Sequence, residues 1–275
     1  MRTVLITNGN LSSMIALGDW LARSPARIEK IFVTYRLPSS KGNWSGLYQM
    51  LKRSGVAYTF LKIWINRWAP QRVGQGSNGL VSGVLGRAGR NCPVEAVATA
   101  NASEVIEQIR EIAPEVLLSF SATHRFSDEL LSTPSVAGVN VHYGALPRYG
   151  GLSPYFWHLY NGEKEYGVTV HKMVPTLDAG PILQQAVSPV GSEKTCLGLL
   201  LKMASEVSPM LQNLFNQPES FDHGWDQDLS QRSYYRHPTK AQVKKFDQEG
   251  YRMMDAQSRS EFLRKGREVL GKGLS

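Results

Sequence analysis

The sequence predicts an α/β fold, a parallel sheet flanked by helices, followed by a short C-terminal extension. The N-terminal part alternates short apolar, β-branched runs with longer segments whose apolar residues recur at helical spacing, the βαβα order that builds a parallel sheet. The chain has 275 residues, 42% of them apolar, enough to bury one core of ordinary size but not to supply a second full catalytic domain.

In order, residues 4–7 read as a strand, 11–23 as a helix, 31–35 as a second strand and 44–54 as a second helix. The turn Thr7-Asn8-Gly9-Asn10-Leu11-Ser12-Ser13 lacks the G-x-G-x-x-G spacing that brings backbone against a dinucleotide pyrophosphate, and no G-x-x-x-x-G-K-[ST] loop occurs. The sheet is therefore Rossmann-like without the marks of an NAD or ATP site. Residues 58–68 interleave aromatic and basic side chains, which fits a helix packed on the sheet, the commoner case, or one lying in a membrane interface. Residues 74–89 hold six glycines in sixteen positions and read as a flap or a disordered excursion. Together, residues 62–92 form a basic, glycine-rich insertion.

Residues 93–97 make a short strand, and Asn101-Ala102-Ser103 is expected to cap a helix over 104–112 with carboxylates in its first turn. Residues 114–121 read as a buried strand ending in small polar residues. Open parallel sheets gather ligands outside the carboxyl ends of their strands, so the loop at 118–125 is expected to touch one. His124 and Arg125 on that loop read as solvated. Asn140 and His142 stand two apart on a further strand, so an amide and an imidazole face one side of the sheet. Residues 167–173 form another β-branched strand, and 175–180 the turn that ends it. A carboxylate on that turn, Asp178, can meet His142.

The N-terminal apolar run is too short for a signal peptide and no stretch approaches bilayer length, which points to a cytoplasmic protein. Cys92 and Cys196 lie far apart in no metal-ligand spacing, so neither a metal site nor a disulfide is expected. The net charge of +8 is unevenly distributed: no acid lies between Glu29 and Glu95, while Lys30, Arg36, Lys41, Lys52, Arg53, Lys62, Arg67, Arg72, Arg87 and Arg90 are basic. Such a field favours an anionic partner.

The run NVHYGALPRYGGLSPYFWHLYNGEKEYGVTVHKMVPTLDAGPILQQ resembles the central signature of the folate-dependent formyltransferases, the family that includes glycinamide ribonucleotide, methionyl-tRNA and amino-sugar formyltransferases. The likeness extends to Met1 at the level of fold and forward to about Leu214. It implies residues 1–215 as a catalytic domain and 216–275 as the extension. It implies Asn140, His142 and Asp178 as the catalytic triad, and 10-formyltetrahydrofolate as co-substrate. It also places the pterin against Leu118, Ser119, Phe120, Ser121, Ala122 and Thr123, with Pro175, Thr176 and Leu177 on the facing turn. One departure is Tyr143-Gly144, where many members carry Pro-Ser after the His. Tyr143, Gly144 and Tyr149 are accordingly the expected acceptor-binding residues.

In formyl transfer an amine attacks the formyl carbon, charge gathers on oxygen, and a proton moves from the attacking to the leaving nitrogen. An uncharged amide suits the oxyanion, an imidazole the proton, and a neighbouring carboxylate the charged imidazole. His171 fits a supporting position or simple packing, and Trp157 and His158 fit a pocket wall or core. The tail after residue 215 is too short and too poor in alternating strands for the β-rich domain of the tRNA-acting members, which counts against nucleic acid. A small amine acceptor, first a nucleotide-linked amino sugar, then a specialised-metabolite amine, is the expected partner. A methionyl-tRNA formyltransferase and a formyltetrahydrofolate hydrolase are the alternatives; peripheral membrane contact and homo-oligomerisation stay open.

Overall fold

The chain opens with β1 (Arg2–Thr7), α1 (Leu11–Arg23) and β2 (Arg27–Thr34); the computed structural model describes residues 1–34, 43–66, 79–122 and 124–271. The expectations for Tyr35, Arg36, Lys41, Thr123 and residues 67–78 lie outside the described residues. α1 begins where the Asn10 side chain accepts from the Ser13 amide at 2.9 Å, filling an otherwise orphaned donor. Its Leu11, Met14, Leu17, Trp20 and Leu21 recur every three or four residues and are fully buried. Each such side chain contributes about 1.5–3 kcal/mol.

α2 (Asn43–Asn66) unites the two helices expected there and breaks between them at Gly55, whose φ of 78° glycine adopts without Cβ strain. Its second half buries Tyr58, Leu61 and Ile65 in the core while Phe60 and Ile63 stay exposed, so this segment packs on the domain. The glycine-rich stretch departs from expectation. Its latter part is a helix, α3 (Leu80–Arg87), because Val81, Val84 and Leu85 form one buried face that outweighs Gly83 and Gly86.

β3 (Val94–Val97) and α4 (Ser103–Ile112) follow. The cap residue of α4 is Ala102, with no side-chain bond. Asn101 does not cap it. Its Oδ1 accepts from the Ser127 amide at 2.9 Å and its Nδ2 donates to the Arg125 carbonyl at 2.8 Å, tying down the loop beyond β4 (Val116–Phe120).

After α5 (Asp128–Leu131) come β5 (Ala137–His142), β6 (Gly150–Gly151), α6 (Pro154–Tyr160), β7 (Glu165–Lys172), β8 (Ile182–Pro189) and α7 (Cys196–Asn216). The seven-stranded sheet has the order β3-β2-β1-β4-β5-β7-β8, parallel through β5, with β7 and β8 antiparallel. The chain runs outward from β1 to β3 and restarts at β4, which places a topological switch between β1 and β4. Side chains alternate across β4: Val116, Leu118 and Phe120 join the cluster under α1 and α7, while Leu117 joins the cluster under α4.

The chain beyond α7 is part of this architecture. β9 (Tyr234–Tyr235) pairs in parallel with β6, and α8 (Lys240–Gln248) and α9 (Ala256–Leu270) bury Phe246 and Phe262 in the main core. Among the described residues no helix is long and apolar enough to cross a membrane.

Candidate active site

A cavity of about 500 Å³ opens outside the carboxyl ends of β1, β4 and β5, at the switch in strand order. Asn8 lines it beyond β1, and Ser119, Phe120, Ser121 and Ala122 line it at the end of β4, with Thr176, Leu177 and Asp178 on a further wall. Asn140, His142 and Tyr143 form its floor. Among the described residues five non-glycines have positive φ, and three of them, Ser121, Ser153 and Asp178, stand on its wall. Tyr149, directly behind His142, is a fourth. Such backbone costs on the order of 1–3 kcal/mol per residue and persists only where surrounding contacts impose it.

Register explains the partners of the β5 residues. Asn140 pairs across the sheet with Ser119 on one side and His171 on the other. The His171 Nδ1 lies 2.8 Å from the Lys172 carbonyl and therefore carries the proton, leaving Nε2 to accept from Asn140 Nδ2 at 3.2 Å. Burial pushes His171 down to about 4, so its ring is neutral at neutral pH. Its 3.8 Å approach to Asp178 is consequently no ion pair. What His171 does is fix the plane of the Asn140 amide, with the second N–H left over.

His142 is held from behind. Its Nε2 lies 2.7 Å from the Tyr149 carbonyl, which makes Nε2–H the donor and leaves Nδ1 as the basic nitrogen. Nδ1 faces Asp178 Oδ1 at 3.7 Å, too long for a hydrogen bond; once Nδ1 is protonated, the contact becomes an ion pair. Gly144 is required here, since a Cβ would come within 2.4 Å of the Tyr149 carbonyl and 2.8 Å of His142 Nε2. The Gly144 carbonyl is pinned in turn by Thr169 Oγ1 at 2.6 Å.

Asp178 sits on the turn after β7 with φ of 54°, and its Oδ2 accepts from the Gly151 amide at 2.9 Å. Burial alone would raise its carboxyl, but His142, the Gly151 amide, His171 and Arg232 outweigh burial and hold it below its ordinary value. The carboxylate is therefore ionised throughout the neutral range.

The expected site residues thus separate. Asn140, His142 and Asp178 come together on one cavity, and Ser119, Phe120, Ser121, Ala122, Thr176, Leu177 and Tyr143 line it. Leu118 does not: strand alternation turns it into the core beneath α1. Pro175 is not on the wall either, and Gly144 and Tyr149 lie behind the imidazole rather than facing a ligand. His124 is half-buried, its Nε2 accepting from the Ala100 amide at 2.9 Å, and both it and Arg125 line the cavity. Trp157 stacks on Tyr235 at 4.7 Å and His158 on Tyr149 at 3.7 Å, both as packing.

Other residues enter from outside these motifs. Lys62 of α2 reaches the cavity, its Nζ donating to the Tyr155 hydroxyl at 3.3 Å, and Tyr234 enters from β9. Among the described residues of its lining, Lys62 and Arg125 are two cations against the single carboxylate of Asp178. The Tyr143 hydroxyl is buried in the wall with no hydrogen-bond partner among the described residues. The same residues include no group of three His, Cys, Asp or Glu able to hold a metal ion.

Residues 81–211 match the family model described as formyl transferase, a span containing Asn140, His142 and Asp178. The glycinamide ribonucleotide transformylase 1 of Symbiobacterium toebii is similar in fold, at 18% identity over 80% of this chain and 89% of that one, with a TM-score of 0.53. A sugar N-formyltransferase from a Shewanella species is similar at 14% identity over 86% of this chain and 76% of that one, with a TM-score of 0.52. An N-formyltransferase from Helicobacter canadensis, in complex with folinic acid and dTDP-3-aminofucose, gives 15% identity, 85% and 70% coverage and a TM-score of 0.50.

Proposed function

We propose that the chain, whose residues 81–211 match the formyl transferase family model, transfers the formyl group of 10-formyltetrahydrofolate to the amine of a small anionic acceptor, first a nucleotide-linked amino sugar. A specialised-metabolite amine is the next candidate. The observation that carries this reading is the convergence of a fixed amide, a basic imidazole nitrogen and an ionised carboxylate on one cavity. Residues 1–215 are the catalytic domain in this reading, and 216–275 an extension that brings Tyr234 to the cavity.

The cavity suits a flat, polar co-substrate. Ser119 to Ala122 line one side, and Thr176 and Leu177 another. Lys62 and Arg125 suit the carboxylates of a folate tail or the phosphates of a nucleotide. The co-substrate supplies a formyl carbon bonded to N10.

His142 takes up, on Nδ1, the proton shed by the acceptor amine as its nitrogen bonds to the formyl carbon. It returns that proton to N10 as the carbon–N10 bond breaks, so the histidine ends as it began. Asn140, with one N–H committed to His171, directs the other at the formyl oxygen where negative charge gathers. Asp178 faces the imidazolium between these two proton transfers and stabilises it.

The Helicobacter relative's complex with folinic acid and a nucleotide-linked amino sugar supports both ligand classes. The test incubates purified protein with 10-formyltetrahydrofolate and a panel of nucleotide-linked amino sugars, phosphorylated amines and methionyl-tRNA. The expected result is tetrahydrofolate released mole for mole with a formylated small amine. Formate released without added amine would make the protein a hydrolase, and formylation of methionyl-tRNA alone would overturn the small acceptor.

A further inference from the structure

The turn that carries Asp178 receives little support from its own strand. Three of its carbonyl groups are instead taken by side chains about fifty residues away, beyond the end of the family match. Gln227 Nε2 donates to the Asp178 carbonyl at 3.1 Å and to the Gly180 carbonyl at 2.6 Å. Arg232 Nη2 donates to the Leu177 carbonyl at 2.8 Å. Trp225 and Ile182 exchange both backbone hydrogen bonds, at 2.8 and 2.9 Å, and anchor the start of this segment.

The same segment then crosses to the other side of the site. The Ser233 amide donates to the Pro147 carbonyl at 3.2 Å, the Gly150 amide to the Ser233 carbonyl at 3.0 Å, and the Leu152 amide to the Tyr235 carbonyl at 2.8 Å. That loop supplies both the Tyr149 carbonyl behind His142 and the Gly151 amide on the Asp178 carboxylate. One continuous stretch therefore holds the acid's turn and the imidazole's backing.

We propose that residues 225–235 form a strap that sets the Asp178 carboxylate against His142, with Gln227 as its principal positioning residue. The positive φ of Asp178 is the reason a strap is needed, since an aspartate in the left-handed region returns to extended backbone unless its flanking carbonyls are held. Gln227 holds two of them with one nitrogen, and its own Oε1 is buried without a partner among the described residues. A side chain that leaves one of its polar atoms unpaired is tolerated for what the other does. Gly180 completes the arrangement, because a Cβ there would come within 2.0 Å of the Lys172 carbonyl.

This inference rests on the assignment of Asp178 as the carboxylate of the triad. The experiment is a double-mutant cycle of Gln227→Met and Asp178→Asn in the full chain, with kcat, KM for 10-formyltetrahydrofolate and Tm measured on each protein. Gln227→Met keeps the volume and removes both donors. It is expected to lower kcat by about 10- to 100-fold, the scale of a small misplacement of a reacting group, with KM changed by less than about 3-fold. On the Asp178→Asn background, whose residual rate is read at high enzyme concentration, it should change the rate by less than about 2-fold, because the two act as a unit. Equal losses on both backgrounds, or a Gln227→Met rate within about 2-fold of the parent, would overturn the strap. Full activity in Asp178→Asn alone would instead overturn the triad assignment, and the strap with it. Should Gln227→Met not fold, Gln227→Glu, which keeps the shape and puts an acceptor where the donor nitrogen was, is expected to lower kcat to a similar extent, and a rate within about 2-fold of the parent would overturn the strap.

Discussion

Asn140 and His142 stand on β5, whose register is fixed by β4 on one side and β7 on the other, whereas Asp178 stands on a turn fixed by side chains from the far end of the chain. The first arrangement distributes the positioning over many ladder hydrogen bonds. The second concentrates it in Gln227, Arg232 and the Gly151 amide. Strand-held groups should therefore be lost only when they are themselves replaced or struck directly. The turn-held acid should be sensitive to changes far from it in sequence.

The largest expected effect breaks the strand-held side at its centre. His142→Gln keeps a polar side chain and removes the imidazole, and kcat should fall by about 10³-fold with folate binding retained, read by steady-state rates and by titration of the folate. Gly144→Ala attacks the same imidazole sterically. The new Cβ would meet both the Tyr149 carbonyl and His142 Nε2, so the ring must shift. A loss of about 1–3 kcal/mol in stability and about 10²-fold in kcat is expected, measured by denaturant unfolding and rates.

Burial holds His171 and His158 down to about 4 in the fold, whereas an unfolded histidine titrates near 6.5. Between those values the unfolded chain binds protons that the fold refuses, so stability falls as pH is lowered through that window and is flat above it. Each histidine should remove about 2 kcal/mol by pH 5. Asp178 has the opposite sense: its depressed carboxyl contributes stability above the unfolded value, which is lost only below this window. Thermal unfolding between pH 7.5 and 5 checks the slope, which His158→Gln should reduce.

The smallest effect is at the wall. Tyr143→Phe removes a buried hydroxyl that has no partner among the described residues, so stability should hold or rise by about 1 kcal/mol. If the hydroxyl meets a ligand, KM for one substrate rises while kcat holds. A stability loss instead would show that the hydroxyl is already satisfied.

The strand-held pair is legible in the sequence because spacing two apart on a strand is a local rule, whereas the register that joins Asn140 to His171 is set by the pairing of β5 with β7. Strand alternation also contains the signal that Leu118 faces the core while Ser119 faces the cavity. α3 is hidden because its glycines read as breakers, although Val81, Val84 and Leu85 carry the helical spacing. β8 escapes because its apolar residues do not alternate. Gly144 reads as a ligand contact, whereas it is the ring behind it that needs a glycine there. Nothing local marks Gln227 or Arg232, because their partners are chosen by the path of the chain. The tail that contains them reads as merely polar and basic.

The most direct test of the triad is formyl transfer and folate binding measured on one preparation of Asp178→Asn beside the parent protein. Folate affinity should stay within about 3-fold of the parent while transfer to the amine acceptor falls by about 10²-fold or more. Transfer within a few-fold of the parent would contradict the assignment of Asp178 as the partner of the charged imidazole.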